Sequence, residues 1–295
     1  MGKDLAERFP EAAAAFQSID DALGAPLSRL MFEGPETELT ATHNAQPAIL
    51  AHSAAVFAVV GRRVGNAVAA AGHSLGEYSA YVTAGALDAP AAAKLVRRRG
   101  ELMHATGTER PGTMAAVLGL ATAAVEAACH EASSGGSVAV AANLNTPEQT
   151  VISGDPAAVD RAGAACKEKG AKRVVPLKVS GAFHSPLMAP ATTKLQLALE
   201  HAPWRDPAFP VIANANAEPV KDASRARRLL ADQLTAPVRW VDCMQRAAEQ
   251  AGQGAQFIEI GPGNVLAGLL KRIVPGAAVT SLGTADQVAK FLEAA

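Results

Sequence analysis

Aromatic side chains make up only 4% of the 295 residues, against 49% hydrophobic residues in all. The interior must therefore be assembled from Ala, Val and Leu, and the charged fraction of 19% is too low for a disordered chain. Cysteine is scarce: Cys129, Cys166 and Cys243 lie far apart with no close-spaced pair. That spacing excludes a disulfide framework and a zinc site, so no metal is expected, and a reduced, cytoplasmic protein is. Net charge is also lacking, at -1. No global field draws in nucleic acid or an anionic membrane, and any electrostatic partner site must be local. Long apolar runs are missing as well. AILAHSAAVFAVV is interrupted by His52 and Ser53 and is too short to span a bilayer. The opening MGKDLAERFPEAAAAF has the mixed charge of neither a signal nor a transit peptide.

What is present begins with AAAGHSLGEYSA, which sets Ser74 between Gly72 and Gly76. The preceding NAVAAAG is a short apolar run that predicts a buried parallel strand, and LGEYSAYVTAG predicts a helix. Ser74 thus falls at a strand-to-helix turn, the setting in which a Gly-x-Ser-x-Gly serine is exposed for nucleophilic attack. The first N–H groups of the helix point to the same spot, so the Leu75 N–H is a natural oxyanion donor. The same glycines and serine would also suit a tight turn and an ordinary helix cap.

The chain up to about Arg63 has a helical pattern, including an apolar helix from Pro47 through Val60. In the middle, MAAVLGL, VAVAANLN, QTVISG and RVVPLKV read as strands, while TAAVEAACHEAS and DPAAVDRAGAACKEKG read as helices. Strand-helix-strand-strand-helix-strand is the ferredoxin-like order, placed as an insertion at residues 113–179. Beyond it FPVIANAN reads as a strand, and strand-helix alternation on both sides of the insertion predicts an α/β core with a mostly parallel sheet, formed by residues 1–112 and 180–295. A serine needs a base. Of the seven histidines, His184 in SGAFHSPLM is the best placed, in a Gly- and Pro-bounded loop after a predicted strand. Nucleophile before histidine is the chain order of α/β-hydrolase-like folds. His52 and His130 fall in helical patterns and read as packing or surface residues, while His73 beside the serine could shape the pocket or take part in chemistry.

GHSLGEYSA, LVRRRGELM, GAFHSPLM and EIGPGNVLAGLLKRI occur in that order, and together they resemble the malonyl-CoA:acyl carrier protein transacylase family of fatty acid and polyketide synthesis. The resemblance runs through nearly the whole chain. It implies an α/β-hydrolase-like core with an inserted ferredoxin-like subdomain, Ser74 as nucleophile and His184 as base, with the Gln233 backbone carbonyl in place of a triad acid. Arg99 matches the arginine that grips the free malonyl carboxylate, a task suited to a planar, bidentate guanidinium. The Ala182-Phe183-His184 string accompanies malonyl selection in relatives. Asn145 and Gln149 match positions facing the cleft from the small subdomain, although plain turn chemistry would explain them equally. Lys172 with Arg173 would dock an acidic carrier protein, with Lys271 and Arg272 as a second possibility. The implied substrate is malonyl-CoA, with no tightly bound cofactor, an acyl carrier protein as partner and a monomer as the working form.

The sequence departs from the family at its start. Members open with a strand and a glutamine-containing loop that gives a second oxyanion donor, whereas MGKDLAERFP resembles the helix that follows. The resemblance then implies a trimmed chain or a degenerate relative. Two other functions use the same residues: a serine esterase or thioesterase with water as acceptor, and a truncated CoA- or carrier-binding homologue of low activity. Arg99 argues against the esterase, which has little reason to place a cation beside its acyl pocket.

Overall fold

The computed structural model describes residues 1–64 and 67–294. Its strands are β1 (Ala70–Ala71), β2 (Thr113–Leu118), β3 (Ala139–Thr146), β4 (Gln149–Gly154), β5 (Arg173–Pro176), β6 (Val211–Ile212), β7 (Pro219–Val220), β8 (Gln256–Ile260) and β9 (Ala278–Leu282). They form three sheets, with orders β1-β6-β7, β3-β4-β2-β5 and β8-β9. The expected mostly parallel core sheet is present only in pieces: β1–β6 and β8–β9 run parallel, and β7 joins β6 antiparallel. The fold is α/β with mixed and antiparallel sheets.

Two of the expected core strands shrink for an identifiable reason. Of the strand expected over 66–72, Ala70–Ala71 pairs, and Asn66 lies outside the described residues. Of FPVIANAN only Val211–Ile212 pairs, because Asn214 leaves the ladder and gives its backbone N–H to the Glu77 carboxylate instead. The surrounding core is helical. Helix Thr42–Val64, longer at both ends than its apolar run suggests, packs against helix Ala89–Glu109. By length and apolarity Thr42–Val64 could cross a membrane, but 56% of its most apolar window is buried inside the protein, as in a core helix. Gly100 permits the close approach of the two long helices: a Cβ there would come within 2.7 Å of the His43 Cα. That approach sets Arg99, one residue earlier, beside Gln46.

Between the two parts of this core, β2, helix Thr122–Ala132, β3, β4, helix Pro156–Glu168 and β5 follow one another, and every strand pair is antiparallel. Side-chain alternation divides the sheet's faces. Ala115, Val117 and Ile152 pack with Val125, Val159 and Cys166 of the two helices, whereas Met114 and Val151 pack with Ala142 and Phe183 on the other side. β3 carries two irregularities, at Ala141/Asn143 and Leu144/Thr146. Bulges of this kind turn backbone groups out of the ladder, and here Leu144 N–H donates to the Val238 carbonyl at 2.9 Å while Val238 N–H donates to that of Ala142 at 2.8 Å.

His52, inside the Thr42–Val64 helix, donates from Nε2 to the Gly283 carbonyl at 3.0 Å, and burial pushes its pKa down to about 4. An unfolded histidine takes up its proton near pH 6.5, while the buried ring refuses one until about pH 4. Its contribution is therefore complete above pH 6.5 and is lost as the pH falls towards 4. His52→Gln, which can keep the N–H donor to Gly283, should flatten this acid loss by roughly 3 kcal/mol between pH 7 and pH 4, at 1.36 kcal/mol per pKa unit. Chemical denaturation of both proteins across that range measures the difference.

Candidate active site

Gly72 closes β1 and begins the turn into helix Gly76–Thr83. The turn is so tight that a Cβ on Gly72 would lie 1.9 Å from the Gly76 carbonyl oxygen, whereas one on Gly76 meets nothing within 4 Å. Ser74 occupies the left-handed region at φ 53°, and so does His184 at φ 54°. Non-glycine residues hold such angles only where their surroundings over-determine them. For Ser74 the surroundings are specific: its N–H donates to Asn214 Oδ1 at 2.7 Å, its carbonyl accepts from Gln233 Nε2 at 3.1 Å, and Asn214 Nδ2 donates to the Gly72 carbonyl at 2.8 Å. The Leu75 N–H has no backbone partner among the described residues and stands at the N-terminal end of the same helix.

The structure brings Ser74, His184, Arg99 and Gln233 together. Ser74 Oγ lies 2.8 Å from His184 Nε2, and His184 Nδ1 lies 2.9 Å from the Gln233 carbonyl oxygen. A carbonyl only accepts, so Nδ1 carries the proton and the Nε2 lone pair faces the serine hydroxyl. His184 is buried, and burial first and the Arg99 charge second push its pKa down to about 3. The imidazole is neutral at ordinary pH.

Arg99 is 1% exposed and has no carboxylate within ion-pair distance among the described residues. Its Nη1 donates to Gln46 Oε1 at 2.6 Å, and its Nη2 to Gln233 Oε1 and Ser74 Oγ, both at 3.0 Å. Tyr78 offers its ring face 5.9 Å from the guanidinium carbon. Arg99 Nε finds no partner among the described residues. Below the serine lies Glu77, fully buried, whose Oε2 accepts from Gln233 Nε2 at 2.7 Å and from Asn214 N–H at 3.0 Å. Burial pushes its pKa up to about 7 against the opposing pull of those bonds and of Arg99.

The other residues named from the sequence divide. The His73 Nε2 donates to Asn145 Oδ1 at 2.8 Å, and its ring lies 5.4 Å from that of Trp240. Phe183, half-buried beside His184, packs on both the main core and the outer face of the four-stranded sheet. Gln149 opens β4, and no side-chain hydrogen bond joins it to the serine cluster among the described residues. Lys172 and Arg173 are exposed where the chain enters the edge strand β5, and Lys271 and Arg272 are exposed in the last turn of helix Val265–Ile273, where cations suit the helix dipole. Gln46, Glu77 and Asn214 were not singled out from the sequence. Glu77 carried a usable signal, an acidic residue inside an otherwise apolar motif helix. Gln46 and Asn214 did not, since the amide in NAQP reads as a loop residue and the one in FPVIANAN as part of a strand. No group of three or more His, Cys, Asp or Glu side chains is placed to hold a metal among the described residues.

A serine in the left-handed region, a histidine with its lone pair turned to it and a helix-start N–H without a backbone partner among the described residues are the kinds of group from which serine acyl-transfer sites are built. The chain belongs to the acyl transferase domain family, which matches residues 1–291. It is 41% identical over 295 residues to the malonyl CoA-acyl carrier protein transacylase of Escherichia coli K12, covering 99% of this chain and 94% of that protein. It is 42% identical over 273 residues to the transacylase of the same name from Bacillus subtilis 168, covering 92% and 86%. Among solved structures it is similar to a malonyl-transacylase in complex with a type II PKS acyl-carrier protein, at 41% identity and a TM-score of 0.94 over 100% of this chain and 95% of that one. The acyl carrier protein S-malonyltransferase of Vibrio cholerae is also similar, at 39% identity and a TM-score of 0.93 over 99% and 94%.

The turn geometry predicts opposite outcomes for its two glycines. Gly72→Ala drives a methyl group into the Gly76 backbone, which cannot move without unwinding the helix start, and should destabilise by about 3 kcal/mol or more, the upper end for overpacking. Gly76→Ala enters open space at an ordinary φ and should stabilise by about 0.4–1 kcal/mol through the unfolded chain. Urea unfolding of the two variants checks the contrast.

Proposed function

We propose that this chain moves a malonyl group from malonyl-CoA to the phosphopantetheine thiol of an acyl carrier protein through a malonyl-Ser74 intermediate. The observation that carries the reading is the buried Arg99 cation 3.0 Å from Ser74 Oγ, held by neutral amides rather than by a carboxylate. A buried charge without a counter-ion is costly. A substrate that brings a carboxylate to this spot relieves that cost, and an acyl group without one does not. An esterase for neutral acyl groups has no use for such a cation.

In the first half-reaction His184 Nε2 takes the Ser74 proton as Oγ attacks the thioester carbonyl, and the oxyanion is held by the Leu75 N–H. Collapse expels the CoA thiolate, which recovers the proton from His184. In the second half the carrier thiol gives its proton to His184, its sulfur attacks the ester, and Ser74 Oγ leaves with that proton. The Gln233 carbonyl, 2.9 Å from Nδ1, fixes the tautomer and balances the imidazolium that forms at each step. Arg99 has two uses here. Before acylation it steadies negative charge growing on Oγ, and afterwards it pairs with the malonyl carboxylate. That pairing also offsets the Arg99 charge, the second largest of the influences depressing His184, so a malonyl group makes the base stronger.

The same reading treats residues 1–112 and 180–295 as an α/β-hydrolase-like core and 113–179 as a ferredoxin-like insertion, supported by the β3-β4-β2-β5 order and by that unit's separate apolar cluster. Asn145 and Phe183 then form the cleft wall facing Ser74, with His73 tying Asn145 to the core. Lys172 and Arg173 are proposed to receive the acidic carrier protein. Cytoplasmic synthesis of acyl chains is the setting this reading implies.

Ser74→Ala should abolish the malonyl adduct seen by intact-protein mass spectrometry after mixing with malonyl-CoA; continued labelling at a comparable rate would sink the assignment. Arg99→Ala should lower malonyl transfer relative to acetyl transfer by about 1.5–3 kcal/mol, the range for a hydrogen-bonded charge. Rapid-quench measurement with malonyl-CoA and acetyl-CoA gives the ratio, and equal losses would make Arg99 structural.

A further inference from the structure

We propose that Glu77 is a positioning residue for acyl-group selection: it fixes which way round the Gln233 amide sits and thereby aims Arg99 at Ser74. This inference rests on the reading of Arg99 given above. Gln233 lies fully buried between two groups of opposite demand. Arg99 has only donors to offer, so the amide atom facing it must be Oε1, and it is, at 3.0 Å from Nη2. The other end, Nε2, needs acceptors, and the nearest is Glu77 Oε2 at 2.7 Å, ahead of the Ser74 carbonyl at 3.1 Å and Asn214 Oδ1 at 3.3 Å.

Turning the amide over would set Nε2 against the guanidinium and Oε1 against the carboxylate, two repulsive contacts in place of two hydrogen bonds. The carboxylate therefore locks the amide, and the amide locks one half of the guanidinium fork. Gln46 Oε1 holds the other half at Nη1, and its own amide nitrogen is tied to Thr42 Oγ1 at 3.1 Å. With both Nη atoms fixed from behind, Nη2 is left directed at Ser74 Oγ. Without Glu77 the Gln233 Nε2 keeps only the longer contacts to the Ser74 carbonyl and Asn214 Oδ1, so the amide is held less firmly and the guanidinium loses part of its support on the side facing the acyl group. A misplacement of this size at a charge-recognising group is felt mainly by the substrate that carries the charge.

Glu77 also accepts the Asn214 N–H, and Asn214 holds the Ser74 N–H. Loss of that second link disturbs the serine turn for any acyl donor. The ratio of malonyl to acetyl transfer separates the two roles, because a purely structural Glu77 lowers both rates together and leaves the ratio unmoved.

The test measures single-turnover acylation of Ser74 with malonyl-CoA and acetyl-CoA in the parent, Glu77→Met, Glu77→Gln, Gln233→Ala, Arg99→Ala and the double variant Glu77→Met/Gln233→Ala, with thermal unfolding of each. Glu77→Met keeps the side-chain volume and removes both acceptors, and should lower the malonyl:acetyl ratio about tenfold, as expected for loss of one hydrogen bond to a charged network. Glu77→Gln keeps an acceptor at the Oε2 position and should restore the ratio to within about threefold of the parent, since the net hydrogen bond rather than the charge orients the amide. In the Gln233→Ala background Glu77→Met should lower the ratio no further, because the two act in one chain. An unchanged ratio in Glu77→Met while Arg99→Ala lowers it overturns the inference alone; an unchanged ratio in Arg99→Ala overturns the reading of Arg99 and this inference with it. Should Glu77→Met fail to fold, Gln233→Ala decides: a parent-like ratio there overturns the proposal.

Discussion

A guanidinium buried beside a serine hydroxyl, with no carboxylate in direct contact among the described residues, is the constraint around which the centre of this protein is organised. Moving such a charge out of water costs several kcal/mol even after relaxation. The chain offsets that with two amide oxygens, an aromatic face and, one hydrogen bond further on, the Glu77 carboxylate reached through Gln233. Each of these comes from a different element: Gln46 and Arg99 from the two long helices, Tyr78 and Glu77 from the helix after the serine, Gln233 from the end of helix Ala223–Asp232. The close approach at Gly100 and the tight turn at Gly72 are the backbone conditions for bringing them together.

The counter-charge is kept at a distance for a physical reason. A carboxylate in direct contact with Arg99 would saturate its donor fork, and a substrate carboxylate would then have to displace it. With Gln233 interposed, Glu77 and Arg99 still favour one another's charged forms, but the guanidinium keeps donor capacity on the serine side. Gln233 serves twice, since its side chain aims Arg99 while its backbone carbonyl holds the His184 tautomer. One residue thus couples the orientation of the His184 ring to that of the Arg99 guanidinium.

How much of this was legible in the sequence depended on whether the signal was local. Strand β4 was read from QTVISG to the residue, and β2, β3 and the two helices of that unit to within a few, because alternation and 3.6-residue periodicity are clear there. The short strands β1, β6 and β7 were overestimated or passed over, since apolar runs such as NAVAAAG and FPVIANAN say that a segment is buried but not how many residues pair. Ser74 stood out by its glycines and His184 by its loop. Arg99 was reached only through the resemblance carried by LVRRRGELM, since by itself one arginine in RRRG looks like a helix surface charge until its neighbours in space are known. Gln46 and Asn214 carried no such signal, with partners 53 and 140 residues away in the chain.

The link between the four-stranded unit and the rest limits how selection can operate. Leu144 and Ala142 pair with Val238 through backbone hydrogen bonds, His73 holds Asn145 through its ring, and Phe183 packs on both sides. Two backbone bonds of roughly 0.5–1.5 kcal/mol net each, together with a shared apolar contact, oppose a hinge motion of the unit as a whole. They also bring Asn145, near the C-terminal end of β3, to the His73 ring next to Ser74, and the β3 irregularities are what release those backbone groups for pairing. Adjustment to different acyl groups therefore falls to side chains within a fixed frame. Phe183, half-buried next to His184, packs between the main core and the four-stranded sheet, whereas Arg99 is tied at both Nη atoms. In the proposed mechanism, fit to the body of the acyl group then belongs to the ring beside the base, and recognition of its charge to an arginine that does not move.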